Sequence, residues 1–372
     1  ITISSGDTTG TASFTPTDDN LYETSTDETA TVSITGVSGG SATESGSQSV
    51  TLTIEENESA PTVTLSTSAT SIDENSGSVL TLTATLSVAT TADVTVTIAT
   101  SGTATEGTDY TDGSGNIDDL VIAAGNTTET ISFKPTDDSV YEGDETATIS
   151  IDSVSGGEAS ENGTQAVTIT ISENESAPTV TLSVSASSIA ENAGSSITLT
   201  ATSSIISGSD ITVSFDTSGT ATEGTDYGTI SDITISAGST TGTTTFTPTD
   251  DSMYETSTDE TATVAIGTVS GGGATESGSQ SVTLTIEEND SAPTVTLAAS
   301  SSSIAENAGT SITLTATLSN PTSADVTVSI GTSGSATEGT DYGTISDITI
   351  SSGDTTGTAS FTPTDDNLYE TS

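Results

Sequence analysis

The 372-residue chain carries 53 Asp and Glu against a single basic residue, Lys134, with no His and no Cys, for a formal charge of -52. That balance excludes nucleic acid and anionic membranes as partners, and without cysteine no disulfide can supplement a small core. Only 30% of the residues are hydrophobic and 3% aromatic, so composition alone predicts disorder.

The order of the residues contradicts their composition. Segments such as Val180–Val184, Ile197–Ala201, Ile211–Phe215 and Val282–Ile286 alternate apolar residues with Ser or Thr at period two, the mark of half-buried strands. No window has helical periodicity, and no apolar run is long enough to span a bilayer, so no direct membrane insertion is expected.

In chain order, Ser-Ala-Pro-Thr-Val-Thr-Leu begins at Ser59, Ser176 and Ser291, giving periods of 117 and 115 residues, the size of whole domains. Each start is followed by the same landmarks. Glu-Asn recurs at Glu74, Glu191 and Glu306, and Ala-Thr-Glu-Gly-Thr-Asp-Tyr ends at Tyr110, Tyr227 and Tyr342. Pro-Thr-Asp-Asp begins at Pro16, Pro135, Pro248 and Pro363. Residues 59–175 and 176–290 therefore read as complete repeats, 1–58 as the C-terminal part of one and 291–372 as the N-terminal part of another. About seven strands per repeat, separated by Gly, Ser, Asn and Asp turns, predict an all-β array of two-sheet antiparallel sandwiches joined by short linkers. Residues 1–25 are identical to 348–372, an offset of 347 residues or three repeats, so a higher-order unit is expected to recur in a longer array.

Acidic residues sit at these landmarks. In residues 59–175 they are Glu74, Asp109, Asp137, Asp138, Glu142, Glu145, Glu173 and Glu175; in 176–290, Glu191, Asp226, Asp250, Asp251, Glu255, Glu260, Glu288 and Asp290. Their counterparts are Asp18, Asp19, Glu23, Glu56 and Glu58 in the first part, and Glu306, Asp341, Asp365, Asp366 and Glu370 in the last. Carboxylates about 4 Å apart repel by roughly 4 kcal/mol at an effective dielectric near 20, so a converging set requires a cation. Calcium takes about 6–8 oxygen ligands in tolerant geometry, whereas zinc and copper would call for the absent His and Cys.

The order Ile189-Ala-Glu191-Asn, Gly219-Thr-Ala-Thr-Glu-Gly-Thr-Asp-Tyr227, Pro248-Thr-Asp-Asp251 with Tyr254-Glu255, and the closing Glu288-Asn-Asp290 resembles the Calx-beta domain. The resemblance covers every repeat. It implies a seven-stranded, immunoglobulin-like sandwich that binds Ca2+ through the loops at the end where the chain leaves for the next repeat. It also implies that Glu191, Asp226, Asp250, Asp251, Glu255 and Glu288 or Asp290, with their counterparts, surround the ions. Asn57, Asn174 and Asn289 stand where the family often has consecutive aspartates, and Thr256-Ser257-Thr258 displaces Glu260 relative to Glu145, so Glu260 is a landmark acid but is not counted among the expected ligands.

Asp112, Asp118, Asp119, Glu158 and Glu161 read as solvated surface charges. Phe14, Phe133, Phe246 and Phe361, each two residues before Pro-Thr-Asp-Asp, read as core aromatics, and Tyr22, Tyr141 and Tyr254 as their counterparts from the other side. Repetition of one acidic set in every repeat argues against a catalytic carboxylate pair. The expected function is a calcium-stabilised extracellular stalk, adhesin shaft or filament in a saline setting. Its partners would be neighbouring repeats, identical chains or matrix components, and the alternative is a calcium-responsive sensing module of a cell-surface protein.

Overall fold

The structure is a computed structural model that describes residues 1–24, 27–255 and 259–366. Among them the regular structure is strand apart from one 3-10 turn, Glu306–Ala308. The chain divides into two compact units, Ile1–Ser176 and Ala177–Ser372.

In the first unit, residues 59–175 form two five-stranded sheets. One runs Leu120–Ile122, Val94–Gly102, Glu145–Ser155, Ala166–Ser172, Ser71–Asp73. The other runs Ser160–Glu161, Thr62–Thr67, Leu80–Leu86, Thr128–Pro135, Tyr110–Thr111. The period-two pattern explains the layering: in Leu80–Leu86, Leu80, Leu82, Ala84 and Leu86 are buried, while the Thr residues between them lie on the wetter face. Leu82, Val94, Val96, Phe133, Ile149 and Ile169 are fully buried between the sheets, each worth about 1.5–3 kcal/mol of removed apolar surface. Pairing is antiparallel for the long strands, but Ser71–Asp73 runs parallel to Thr170–Ser172. The first strand of the repeat thus changes sheets after Thr67, and this carries Glu74 to the exit of the last strand.

Residues 176–290, in the second unit, repeat this plan. A four-stranded sheet, Thr241–Phe246, Ile197–Ser203, Thr179–Val184, Thr275–Glu276, faces a five-stranded one, Ser188–Ala190, Ser281–Glu287, Glu260–Ser270, Ile211–Gly219, Ile233–Ile235. Residues 291–366 form a three-stranded sheet, Val295–Ala299, Ile312–Leu318 and Thr356–Phe361, and a pair, Val326–Val328 with Ile348–Ile350. Residues 1–58 contribute the pair Glu28–Ser33 with Ser49–Ile54.

The aromatic expectation holds in part. Phe133 and Phe246 are fully buried; Phe133 stacks on Tyr110 with ring centres 4.8 Å apart, and Phe246 packs tilted against Tyr227 at 4.7 Å, as Phe361 does against Tyr342 at 4.8 Å. Phe14, in the partial first repeat, is 48% exposed. Tyr22 and Tyr254 do not anchor the Pro-Thr-Asp-Asp turn from within their own repeats. Leu21–Tyr22 pairs in parallel with Ala89–Thr90 of the following repeat, and Tyr254 bridges to Thr322 of its following repeat.

Candidate metal centre

Strand pairing gathers the acids. The last strand of the third repeat, Ser281–Glu287, lies between Ser188–Ala190, which runs parallel to it, and Glu260–Ser270, which runs antiparallel. Pairing of Ala190 with Glu287 puts Glu191 beside the exit residues, and its N–H donates to the Glu287 carbonyl at 3.1 Å. Pairing of Glu260 with Ile286 puts Glu260 on the opposite flank. Asp226 enters from the Ala-Thr-Glu-Gly-Thr-Asp turn, which its carboxylate closes by accepting the Thr222 N–H at 2.6 Å. The Asp226 carbonyl accepts the Thr249 N–H at 3.0 Å and so fixes the Pro-Thr-Asp-Asp segment beside it.

The result is a small acidic cavity of about 10 Å³ lined by Glu191, Asp226, Glu255, Asp259, Glu260 and Glu288 over the side chain of Ile286. Carboxylate oxygens of Glu191, Glu288 and Asp290 lie within 4.8 Å of one another. Backbone amides hold them in place: Asp251 N–H donates to Glu191 Oε1 at 3.1 Å, Glu255 N–H to Glu288 Oε2 at 2.7 Å, and Asp290 N–H to Glu288 Oε1 at 2.6 Å. Glu191 is only 7% exposed, and its Oε2 has no hydrogen-bond partner; Asp290 Oδ2 is likewise buried and unsatisfied.

The second repeat builds the same centre. Glu74, Asp109, Glu142, Glu145 and Glu173 line a cavity over Ile171. Carboxylate oxygens lie within 4.8 Å of one another in two triads, Glu74 with Glu173 and Glu175, and Asp109 with Glu142 and Glu145, either of which could hold a metal ion. Glu173 Oε2 accepts the N–H groups of Glu142 and Gly143 at 2.6 and 2.9 Å, Asp138 N–H donates to Glu74 Oε1 at 3.3 Å, and Glu175 Oε2 is buried without a partner.

Crowding raises the carboxyl groups. Burial, aided by neighbouring acids, pushes Glu74, Glu145 and Glu260 up to about 7 and Glu255 up to about 8. Burial likewise moves Glu191, Glu142 and Asp290 upward. Glu173 moves the other way: burial opposes its ionisation, but N–H donors from Glu175, Glu142 and Gly143 outweigh it. Each centre therefore holds a glutamate clamped by backbone amides, Glu173 or Glu288, beside several carboxyls that resist ionising without a counter-charge.

The two partial repeats keep parts of the pattern. Glu23 N–H donates to Glu56 Oε2 at 2.6 Å, Glu58 N–H to Glu56 Oε1 at 2.8 Å, and Asn57 Nδ2 to Asp18 Oδ1 at 3.3 Å. Asp19 Oδ1 accepts the Leu21 N–H at 2.9 Å. In the last repeat, Asp366 N–H donates to Glu306 Oε1 at 3.3 Å, and Asp341 accepts the Thr337 N–H at 2.6 Å. Glu370 lies outside the described residues, and Asp365 is exposed. Asp137 and Asp250 are exposed and act on Glu175 and Asp290 through space, and Asp138 and Asp251 serve mainly as turn caps, accepting from Val140 and Met253 at 2.7 and 2.6 Å.

Glu260, a landmark acid not counted among the expected ligands, lines the cavity, because strand register and not the length of the preceding turn places it. Four acids taken for solvated charges have structural partners. Asp112 caps a turn at Ser114 and Gly115, Asp119 accepts the Ile98 N–H at 3.0 Å, Glu161 accepts the Gln165 N–H at 2.5 Å, and Glu158 accepts the Tyr22 hydroxyl at 2.5 Å.

The Calx-beta domain profile matches residues 56–175, 173–290 and 288–372. The chain belongs to the Calx-beta family. Each match begins on the acidic exit of the preceding repeat, and residues 348–372, which residues 1–25 duplicate, fall within the third. No curated protein matches the chain. Among solved structures it is similar to CBD12 from CALX1.2, at 16% identity over 61% of this chain and 100% of that one, with a TM-score of 0.28. It is also similar to the apo form of the Calx CBD1 domain, at 21% identity over 30% and 98%, TM-score 0.26. Similarity to the Yersinia pseudotuberculosis adhesin InvE is at 13% identity over 60% and 58%, TM-score 0.29. Among the described residues, no helix is long and apolar enough to cross a membrane.

Proposed function

We propose that this array of Calx-beta domains is a calcium-stabilised spacer, forming an extracellular stalk, adhesin shaft or filament. The observation that carries the reading is Glu191, a buried carboxylate whose Oε2 faces other carboxylates without a partner, in a chain whose one cationic side chain is Lys134. Burying such a charge unpaired is strongly unfavourable, and a hard divalent cation is the counter-charge that an all-oxygen donor set fits.

Glu191, Asp226, Glu255, Glu260, Glu288 and Asp290 would hold the ion in the third repeat, and Glu74, Asp109, Glu142, Glu145, Glu173 and Glu175 in the second. The ion would supply the positive charge that lets all of these carboxylates ionise together. The residues themselves tie the exit of one strand, the Pro-Thr-Asp-Asp segment and the turn before Tyr110 or Tyr227 into one cluster. Recurrence of one centre, with no singular site among the described residues, suits a spacer and argues against catalysis. Partners would be neighbouring repeats, and identical chains or matrix components outside the cell in saline surroundings.

Calcium titration by calorimetry, paired with thermal melts before and after chelation, tests the reading. Extracellular sites of this kind bind at roughly 0.1–1 mM, and at 100 times that constant one site adds about 2.7 kcal/mol. Melts that coincide with calcium and with excess chelator would remove the metal from the proposal.

A further inference from the structure

We infer that the tyrosine of the Asp-Asp-x-x-Tyr-Glu turn is an inter-repeat latch: a short strand that each metal turn adds to the edge of the following repeat, positioned by the carboxylates of the metal centre. The joint is observed twice, once in each compact unit. In the first, Leu21–Tyr22 pairs with Ala89–Thr90, Thr91 N–H donates to the Tyr22 carbonyl at 3.1 Å, and the Tyr22 hydroxyl donates to Glu158 at 2.5 Å. In the second, Tyr254 N–H donates to the Pro321 carbonyl at 3.0 Å, and Ser323 N–H to the Tyr254 carbonyl at 3.1 Å.

Burial marks the contact as built. Tyr22 is buried, at 5% exposure. What covers Tyr22 is the next repeat. The receiving turn is formed the same way in both joints: Thr90 and Thr322, 1% and 2% exposed, accept the N–H groups of Ala92 and Ala324 at 3.3 and 3.0 Å. Their carbonyls accept Gly125 N–H and Gly353 N–H, each at 2.9 Å, so the edge is held in shape before the tyrosine arrives.

The donor side is clamped by the acids. The residue before each tyrosine donates its N–H to the second aspartate of the turn, Leu21 to Asp19 at 2.9 Å and Met253 to Asp251 at 2.6 Å. The residue after it donates to the exit glutamate, Glu23 to Glu56 at 2.6 Å and Glu255 to Glu288 at 2.7 Å. The tyrosine is thus suspended between two carboxylates of the candidate centre, so anything that orders those carboxylates also orders the strand offered to the neighbour. Addition of a strand to a sheet edge supplies main-chain hydrogen bonds that any side chain tolerates, which suits a joint repeated between diverged copies.

The joint stands on geometry alone; only its coupling to calcium rests on the proposed function. The chain has no cysteine, so spin labels on cysteines introduced at Ser270 and Ser303, exposed positions on either side of the second joint, report the distance across it alone. Ser323→Pro removes the N–H that bonds to Tyr254 without touching an acid, and Tyr254→Ala tests the side chain. In the full chain with calcium, the unaltered joint gives a narrow distance distribution. Ser323→Pro broadens it while the repeats melt as before, and by linkage it weakens calcium binding in the third repeat by roughly five-fold or more. An unchanged distribution in the folded Ser323→Pro chain overturns the latch. A broadened distribution with unchanged calcium affinity keeps the latch and overturns its coupling. Absence of calcium binding in the unaltered chain refutes the spacer's metal and the coupling together, and the Ser323→Pro comparison without calcium still decides the joint.

Discussion

The second and third repeats reach the same acidic centre through turns of different length. Between Tyr141 and Glu145 lie three residues, and between Tyr254 and Glu260 five, yet both glutamates face an aspartate and both are pushed up to about 7. The common element is register: Glu145 pairs with Ile171 and Glu260 with Ile286, equivalent positions on the last strand. A ligand on the first residue of a strand is insulated from insertions in the turn before it, because the ladder fixes its position. Asp137 and Asp250, in the Pro-Thr-Asp-Asp turns, are exposed and lie outside the tight groupings.

The comparison breaks most visibly at its buried end. Glu191→Gln is expected to weaken calcium binding in the third repeat by about ten-fold or more, equivalent to roughly 1.4 kcal/mol, while raising the melting temperature of the metal-free chain, since it removes a buried charge from a like-charged cluster. Calorimetric titration and paired melts read both signs; a variant that melts lower in both states would show Glu191 to be a structural acid alone.

Register makes a sharper claim about the next pair. Glu145→Gln and Glu260→Gln should weaken calcium binding in their own repeats by similar factors, several-fold each, despite the two-residue difference in the preceding turn. Asp118→Asn, an exposed acid outside either centre, should change stability by less than about 0.5 kcal/mol. Unequal losses at 145 and 260, with only the former mattering, would return the decision to the turn.

The smallest expected effect is the pH response of the metal-free chain. Glu74, Glu145, Glu255 and Glu260 have folded values raised from 4.5 to about 7 or 8 by burial first. Folding therefore favours their protonated forms, a contribution that is complete below about pH 4.5 and lost as the pH rises through 7 to 8. The metal-free melting temperature should fall by several degrees from pH 5 to pH 8.5 in both repeats. With saturating calcium the trend should reverse, because binding requires the ionised carboxylates. A melting temperature independent of pH without metal would mean that these acids are as well solvated as any surface charge.

Sequence by itself determined that the chain is a β-sandwich array, because period-two alternation and domain-length repetition are local and countable. It also determined most of the acidic set, since Glu74, Glu191, Asp109 and Asp226 recur at fixed landmarks. Two things were decided only by the tertiary structure. Glu260 lines the cavity through its strand pairing with Ile286. Tyr22 and Tyr254 leave their own repeats for the next one's edge. Each is set by what stands across from a residue in space: a ladder partner or an open sheet edge. Alternation along the chain reports which face a side chain takes but not which partner it meets there.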